Sequence, residues 1–577
     1  MLQWRIIDKR IYWLLLANLI LGLPGLWVPY YNIDEITNAL YAKFILAGDL
    51  SLSDFVGNTY FLTHYLYVWL GQLFGFSSLI PIHVFHVFWK CGTLLALNWA
   101  GTEMAGRKAG FWAALFYTVG SLCYMSKDFH TPIAESFSLL PAALAAAFLF
   151  RGLNQKHWVF YFWCGVFTAL ATLFKTPMGV LILAIYAVVL LRKQGFLLHG
   201  LVVSSGFFGV FLIPILLVSP FGEGFSLLAE RLAETNAVYI QSYDGISALY
   251  WVLKFFMRTF MVLGALFGMT IFAIYPYKTL FAWRRHRRDY WQKTFFLVLW
   301  AFLLWLTVTI GKRIFYHYYV FLLVPLPLLA AAGLVSFDRR LQVVRGHSLL
   351  RLGGDDKEER TFLMFIRRHL VFVLGVPLCI FSLDGALNFS TVPPKLDEIV
   401  AYVKNQTEPG QRIYVWGNVP QIYFYADRQP ATTAFWSEYF SGSSPGSPAM
   451  EYIRATGQSL ALSEKLVKDL QANVFKKKRV RTLTPETTLF EIEENELFTF
   501  AELLEKIENK HWQKVFTDFF IHPPVLFIDS SPTNIRGFGN YPIYRYELMK
   551  RFVLDNYIFA GKVNGMYVYR LKMALDA

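Results

Sequence analysis

The chain has 577 residues, 55% hydrophobic, 18% aromatic and only 16% charged, with a mean hydropathy of +0.40. Soluble domains carry about a quarter charged residues, so the composition argues against a soluble globular protein and for a membrane one. The formal charge of +14 does not imply nucleic acid: Lys and Arg fall in short runs between apolar stretches, as at Arg284, Arg285, Arg287 and Arg288, and such runs set membrane topology.

The N-terminus has a basic start and an apolar run without an Ala-x-Ala-like cleavage site, so it is expected to be a retained first span. Stretches of sufficient length and apolarity predict eleven spans, near 11–29, 80–100, 110–126, 133–150, 158–174, 177–191, 197–218, 250–275, 294–310, 317–335 and 369–386. Only Lys175, Thr176 and Pro177 separate the fifth and sixth; if 158–191 were one bent span, everything after it would invert. With the N-terminus inside, Arg5/Lys9/Arg10, Arg107/Lys108, Arg151/Lys156, Arg192/Lys193 and the clusters at 278–293 and 339–368 all fall on the cytoplasmic side. That pattern requires a real turn at Lys175. The four cysteines, Cys91, Cys123, Cys164 and Cys379, lie in apolar segments and form neither a disulfide framework nor a zinc site.

The first outside loop, 30–79, opens with Asn32-Ile33-Asp34-Glu35. Ile36, Leu40 and Phe44 then recur at helical spacing, predicting a helix that lies in the membrane interface with Asp34 at its N-terminal end. The plainer role for Asp34 or Asn32 is to cap that helix. A second polar group, Lys127, Asp128, His130 and Glu135, opens the fourth span, where an ionisable group is costly and becomes a functional candidate. The plainer role is a polar turn with Lys127 paired to Asp128. A third group, Lys312, Arg313, His317 and Tyr318, sits between spans nine and ten; its two cations break the positive-inside pattern and suit a phosphate, with snorkelling as the plainer role. Lys90, Lys175, Lys254 and Arg258 add further cations on or near the outer side. His83, His86, His130 and His317 have no zinc-site spacing, and the chain carries no Walker loop, no Gly-x-Gly-x-x-Gly at a strand-to-helix junction and no Gly-x-Ser-x-Gly.

Residues 387–577 differ in kind, with mixed charge and alternating apolar patterns. Strands are expected at 412–416 and 525–529 and helices at 396–404 and 542–556, so the fold class is a polytopic α-helical membrane domain, 1–386, followed by an extracytoplasmic α/β domain, 387–577.

The order of several strings resembles the GT-C superfamily of integral membrane glycosyltransferases, near protein O-mannosyltransferases and lipid A aminoarabinose transferases. They are Asp34-Glu35 followed by Ala39-Leu40-Tyr41-Ala42, the turn Gly106-Arg107-Lys108-Ala109-Gly110, Thr131 to Glu135, His317-Tyr318-Tyr319 running into Leu323 to Pro327, and Tyr414-Val415-Trp416-Gly417 with Tyr423-Phe424-Tyr425-Ala426. One departure is that Asn58 to Tyr65 replaces a Lys-Pro-Pro-like string of the relatives. The resemblance implies a polyprenyl-phosphate-linked sugar donor and a glycolipid, polysaccharide or protein acceptor among membrane lipids, in a bacterial inner membrane. It implies Asp34 as the catalytic base or acceptor-positioning carboxylate with Glu35 beside it, and roles for Lys127, Asp128, Glu135, Arg313 and His317; the polar groups above add His130, Lys175, Lys312 and Tyr318 as substrate contacts. Nucleic acid is not expected as a partner. A monophosphate leaving group lessens the need for a divalent metal, so no cofactor is expected. The rival from another class is a secondary transporter or flippase, which would set its ionisable groups near the bilayer midplane.

Overall fold

The computed structural model describes residues 8–23, 26, 32–50, 61–121, 131–192, 195–213, 216, 248–274, 288–310, 316–347, 396–437, 441 and 510–572. In chain order the helices are α1 (Arg10–Gly22), α2 (Ile33–Ala47), α3 (Phe61–Phe74), α4 (Ile80–Ala105), α5 (Arg107–Ser121), α6 (Ala134–Phe137), α7 (Leu139–Gln155), α8 (Trp158–Phe174), α9 (Val180–Leu190), α10 (Phe196–Phe211), α11 (Ala248–Ala265), α12 (Phe267–Ile274), α13 (Arg288–Ile310) and α14 (Pro325–His347). The C-terminal part continues with α15 (Asp397–Gln406), β1 (Ile413–Trp416), α16 (Gln421–Ala426), α17 (Lys510–Ile521), β2 (Leu526–Asp529), α18 (Glu547–Asn556), β3 (Tyr557–Val563) and β4 (Met566–Leu571). The described residues cluster into two compact units: the apolar helices form one, and the C-terminal elements together with α2 form the other.

In the helical unit, Ile80–Ala105, Ala134–Gln155, Tyr290–Val308 and His317–Ser336 are long and apolar enough to cross a membrane, and four shorter apolar helices accompany them. The fold is that of a polytopic helical membrane protein; of the eleven expected spans, the one at 369–386 lies outside the described residues. The chain does break at Lys175, whose φ of −152° and ψ of 115° end α8 before a 3-10 turn, Thr176–Gly179, leads into α9. Glycine sets the closest helix contact: a side chain at Gly165 or Gly206 would run into the backbone of the facing helix, so α8 and α10 touch along their main chains.

Polar groups gather at the helix ends. At one end Glu103 of α4 pairs with Arg151 of α7 at 2.9 Å and accepts from Asn154 at 2.8 Å, while Lys293 of α13 donates to the Glu103 carbonyl at 2.8 Å. These three helix ends all belong to loops expected on the cytoplasmic side. At the opposite end of α7 and α8, Tyr67 of α3 donates to the Pro132 carbonyl at 2.9 Å, and Trp89 of α4 donates to the Phe137 carbonyl at 3.0 Å.

In the second unit the sheet order is β1-β2-β4-β3, with β1 and β2 parallel and the other pairs antiparallel. Both expected strands and both expected helices are present within a few residues. The hairpin β3–β4 was not anticipated, although Asn564-Gly565 at its tip, both with positive φ, is a strong two-residue turn signal. A core of Trp416, Trp512, Phe516, Phe527, Tyr546 and Tyr569 packs on this sheet. The expected interface helix forms as α2, but its placement differs from expectation. Ile36, Leu40 and Phe44 are at most 1% exposed, covered by protein rather than by lipid headgroups. Apolar periodicity is the same for a helix facing lipid and one facing a protein core, so the pattern alone could not separate the two.

Candidate functional site

Two groups of residues carry the candidate chemistry, one in each unit. In the helical unit, Thr131, Pro132 and Ile133 lead into the four-residue α6, where Ser136 donates to the Thr131 and Ile133 carbonyls at 3.0 and 2.9 Å. Ser138 donates to the Glu135 carbonyl at 2.7 Å. These bonds hold a tight turn that points Glu135 inward. Its carboxylate pairs with the Lys175 ammonium at 2.8 Å, and both side chains are only 4% exposed. Lys175 stands at the C-terminal end of α8, where unpaired carbonyls favour a cation.

The Lys175 ammonium also lies over the Tyr318 ring at 5.6 Å, and His317 packs edge-on against Tyr318 at 4.6 Å. The 3-10 segment Tyr316–Leu323, which carries His317 and Tyr318, packs against α6. The buried Glu135 and Lys175 and the half-buried His317 and Tyr318, drawn from three separated stretches of sequence, therefore form one cluster. Removing one member of a buried pair leaves an uncompensated charge, and apolar substitutes often serve stability equally well, so such a pair is better evidence of function than of stability. Lys127, Asp128, His130, Lys312 and Arg313 lie outside the described residues.

Around the cluster the walls are aromatic. Phe137 stacks on Phe174 at 5.9 Å, and Trp89 stands edge-on to both. His86 packs edge-on against Phe137 at 5.4 Å, so this histidine faces a helix neighbour as expected. Lys90 is buried one turn along α4 and donates to the Ser121 carbonyl at 3.3 Å.

In the other unit, Asn32 caps α2. Its side chain accepts from the Asp34 N–H at 2.9 Å, and Glu35 accepts from the Asn32 N–H at 3.3 Å, completing a capping box. Glu35 is fully buried. The capping role that the sequence left open between Asn32 and Asp34 thus falls to Asn32 and Glu35, and the Asp34 carboxylate is not a member of the box. Among the described residues no group of three or more His, Cys, Asp or Glu could hold a metal ion.

Sequence reasoning did not foresee the Glu135–Lys175 pair. Lys175 precedes Pro177 at a helix break, but forty residues and one helical hairpin separate it from its partner, and spacing alone does not reach across that distance.

No protein-family model and no curated protein matches the sequence. Solved structures do. The crystal structure of ArnT from Cupriavidus metallidurans bound to undecaprenyl phosphate covers 98% of this chain and 98% of its own, with a TM-score of 0.54 at 11% identity. Its apo form covers 97% of both chains with a TM-score of 0.51 at 11% identity. The archaeal oligosaccharyltransferase AglB from Archaeoglobus fulgidus, in its complex with an inhibitory peptide and a dolichol-phosphate, covers 98% of this chain and 75% of its own, with a TM-score of 0.50 at 11% identity. The chain shares the fold of ArnT and AglB over nearly its whole length.

Proposed function

We propose that this protein is a glycosyltransferase that moves a sugar from a polyprenyl-phosphate-linked donor to a lipid, polysaccharide or protein acceptor at the outer face of its membrane, with inversion. The observation that carries the reading is the end-to-end fold match to ArnT bound to undecaprenyl phosphate. The buried Glu135–Lys175 pair beside Tyr318 adds to it, because it sets an oriented cation against an aromatic ring.

In this reading Asp34 accepts the proton of the acceptor hydroxyl as its oxygen attacks the anomeric carbon. The bond from that carbon to the phosphate oxygen breaks on the opposite face, and the polyprenyl phosphate leaves with the electron pair. Lys175, oriented by Glu135, stabilises charge gathering on the leaving phosphate, with Lys312, Arg313 and His317 as further donors. Tyr318 offers its ring as a stacking wall. Lys127, Asp128 and His130 are assigned to substrate contact, and Glu35 fixes the start of the helix that presents Asp34. Eleven spans, a cytoplasmic N-terminus, an extracytoplasmic C-terminal domain and a bacterial inner membrane complete the proposal. No metal is assigned a step.

The test is transfer of label from a panel of radiolabelled polyprenyl-phosphate sugars to acceptors in a membrane extract, comparing wild type with Asp34→Asn. A folded Asn variant should lose transfer by about 100-fold or more, as removal of a general base does, with donor binding unchanged. Equal transfer by both would remove Asp34 from the chemistry. No transfer from any donor by folded wild type would favour the transporter or flippase reading.

A further inference from the structure

Helix α2, which carries Asp34, clusters with the C-terminal elements rather than with the spans it follows in sequence. Two ion pairs, a cation–ring contact and two ring contacts hold it. Lys43 reaches Asp427 at 2.8 Å and lies over the Phe424 ring at 5.4 Å. Asp49, just past the Gly48 cap, accepts from Arg412 with both carboxylate oxygens, at 3.0 and 2.9 Å. Between these anchors Tyr41 and Phe44 meet the Phe435 ring at 5.3 and 6.3 Å.

Both anchors come from one rigid edge. Arg412 directly precedes β1, and Asp427 ends α16 in a left-handed conformation, φ +53°, that Asp tolerates better than most residues. Ile413 exchanges hydrogen bonds with Gln429 and Ala431, tying the segment after Asp427 to the strand after Arg412. The Asp427 carboxyl is held below the usual aspartate range, first by its hydrogen bond from Lys43, with Arg428 and Lys404 adding to the attraction. Partly exposed pairs such as these add little to stability. Their consequence is geometric: they fix the middle and the end of α2.

We propose that the C-terminal domain is a positioning element for the transfer reaction, with Arg412 and Asp427 setting the place of Asp34 through Asp49 and Lys43. This inference rests on Asp34 acting as base. Asp34 lies nine residues from Lys43, about 14 Å along the helix. A tilt of about 10° about the Lys43 anchor therefore moves Asp34 by about 2 Å, where a misplacement of about 1 Å can cost about 100-fold in rate.

The experiment uses the full chain in detergent as wild type, Arg412→Asp, Asp49→Arg and the double swap, with Lys43→Gln as a milder variant that keeps the fold if a reversal does not. Amide exchange over residues 33–47 reads whether α2 is held, and kcat with donor KM reads the consequence. Each single variant should speed exchange by about 2- to 5-fold, the size that loss of a partly exposed pair allows. Each should also lower kcat by about 10- to 100-fold while donor KM moves less than about 2-fold, and the swap should restore both. Unchanged exchange in the single variants overturns the inference. So does faster exchange with kcat intact, or a swap that regains exchange protection and not kcat. Absence of transfer by wild type would overturn the functional reading instead, and swap-restored exchange would then still support the hold on α2.

Discussion

At the scale of single residues, the informative side chains are those whose surroundings are costly. Glu135 and Lys175 are both buried and paired, so removing either charge alone leaves the other without compensation. Glu135→Gln and Lys175→Met are each expected to destabilise the helical unit by about 3–5 kcal/mol, and the double variant to regain most of that while staying inactive in transfer. Thermal unfolding in detergent, paired with the label assay, checks this; a double variant as unstable as either single one would mean that the pair is not the source of the cost. Asp529, at the end of β2, is buried, and its pKa is raised from 3.8 to about 7 by desolvation, against the opposing hydrogen bonds from Ser531. The folded state therefore binds this proton more tightly than the unfolded chain. Its contribution to stability is complete below pH 3.8 and is lost as pH rises through about 7. Asp529→Asn should flatten that decline in unfolding measurements on the C-terminal domain between about pH 4 and 7, the window between the two values. A decline of the same size in the Asn variant would assign the pH dependence to other groups.

At the scale of elements, helix ends and breaks matter most. The capping box of Asn32 and Glu35 begins α2 one turn before its buried face, so Asn32→Ala should cost about 1 kcal/mol and fray the first turn, where Asp34 sits. Faster amide exchange confined to 33–36, with transfer lowered, is the expected pattern; unchanged exchange there would show that tertiary packing alone fixes the turn. The cap and the acidic pair were legible because capping chemistry is local. The helix break at Lys175 was legible for another reason: six inside loops could agree in charge only if the chain turned there. The β3–β4 hairpin carried its signal in Asn564-Gly565 and went unread, whereas α17 had little signal beyond amphipathic spacing.

At the scale of the whole molecule, residues 30–79 are shared between the two units, α2 with the C-terminal elements and α3 with the apolar helices. Phe44 stacks on Phe435 of the C-terminal domain, and burying such a side chain is worth about 1.5–3 kcal/mol when complete. A fragment beginning at residue 392 should therefore be less stable to urea, by at least about 2 kcal/mol, than the same fragment fused through a flexible linker to residues 32–50. Coincident midpoints would mean that α2 adds nothing to this domain.

By itself the sequence determined the class of protein, the alternation of apolar segments and charged loops, the two central strands of the tail domain and most of the residue types in the candidate site. Those properties are local or compositional: bilayer thickness, strand period and the cost of burying charge act on contiguous residues. Tertiary structure decided which candidates meet. It joined Glu135 to Lys175 and Tyr318, gave the capping role to Asn32 and Glu35, and carried α2 to Arg412 and Asp427. Each of these contacts beyond the cap spans tens to hundreds of residues, and an ion pair leaves no mark on the sequence between its partners. An apolar helix face likewise does not specify whether lipid or protein will cover it, and here protein does.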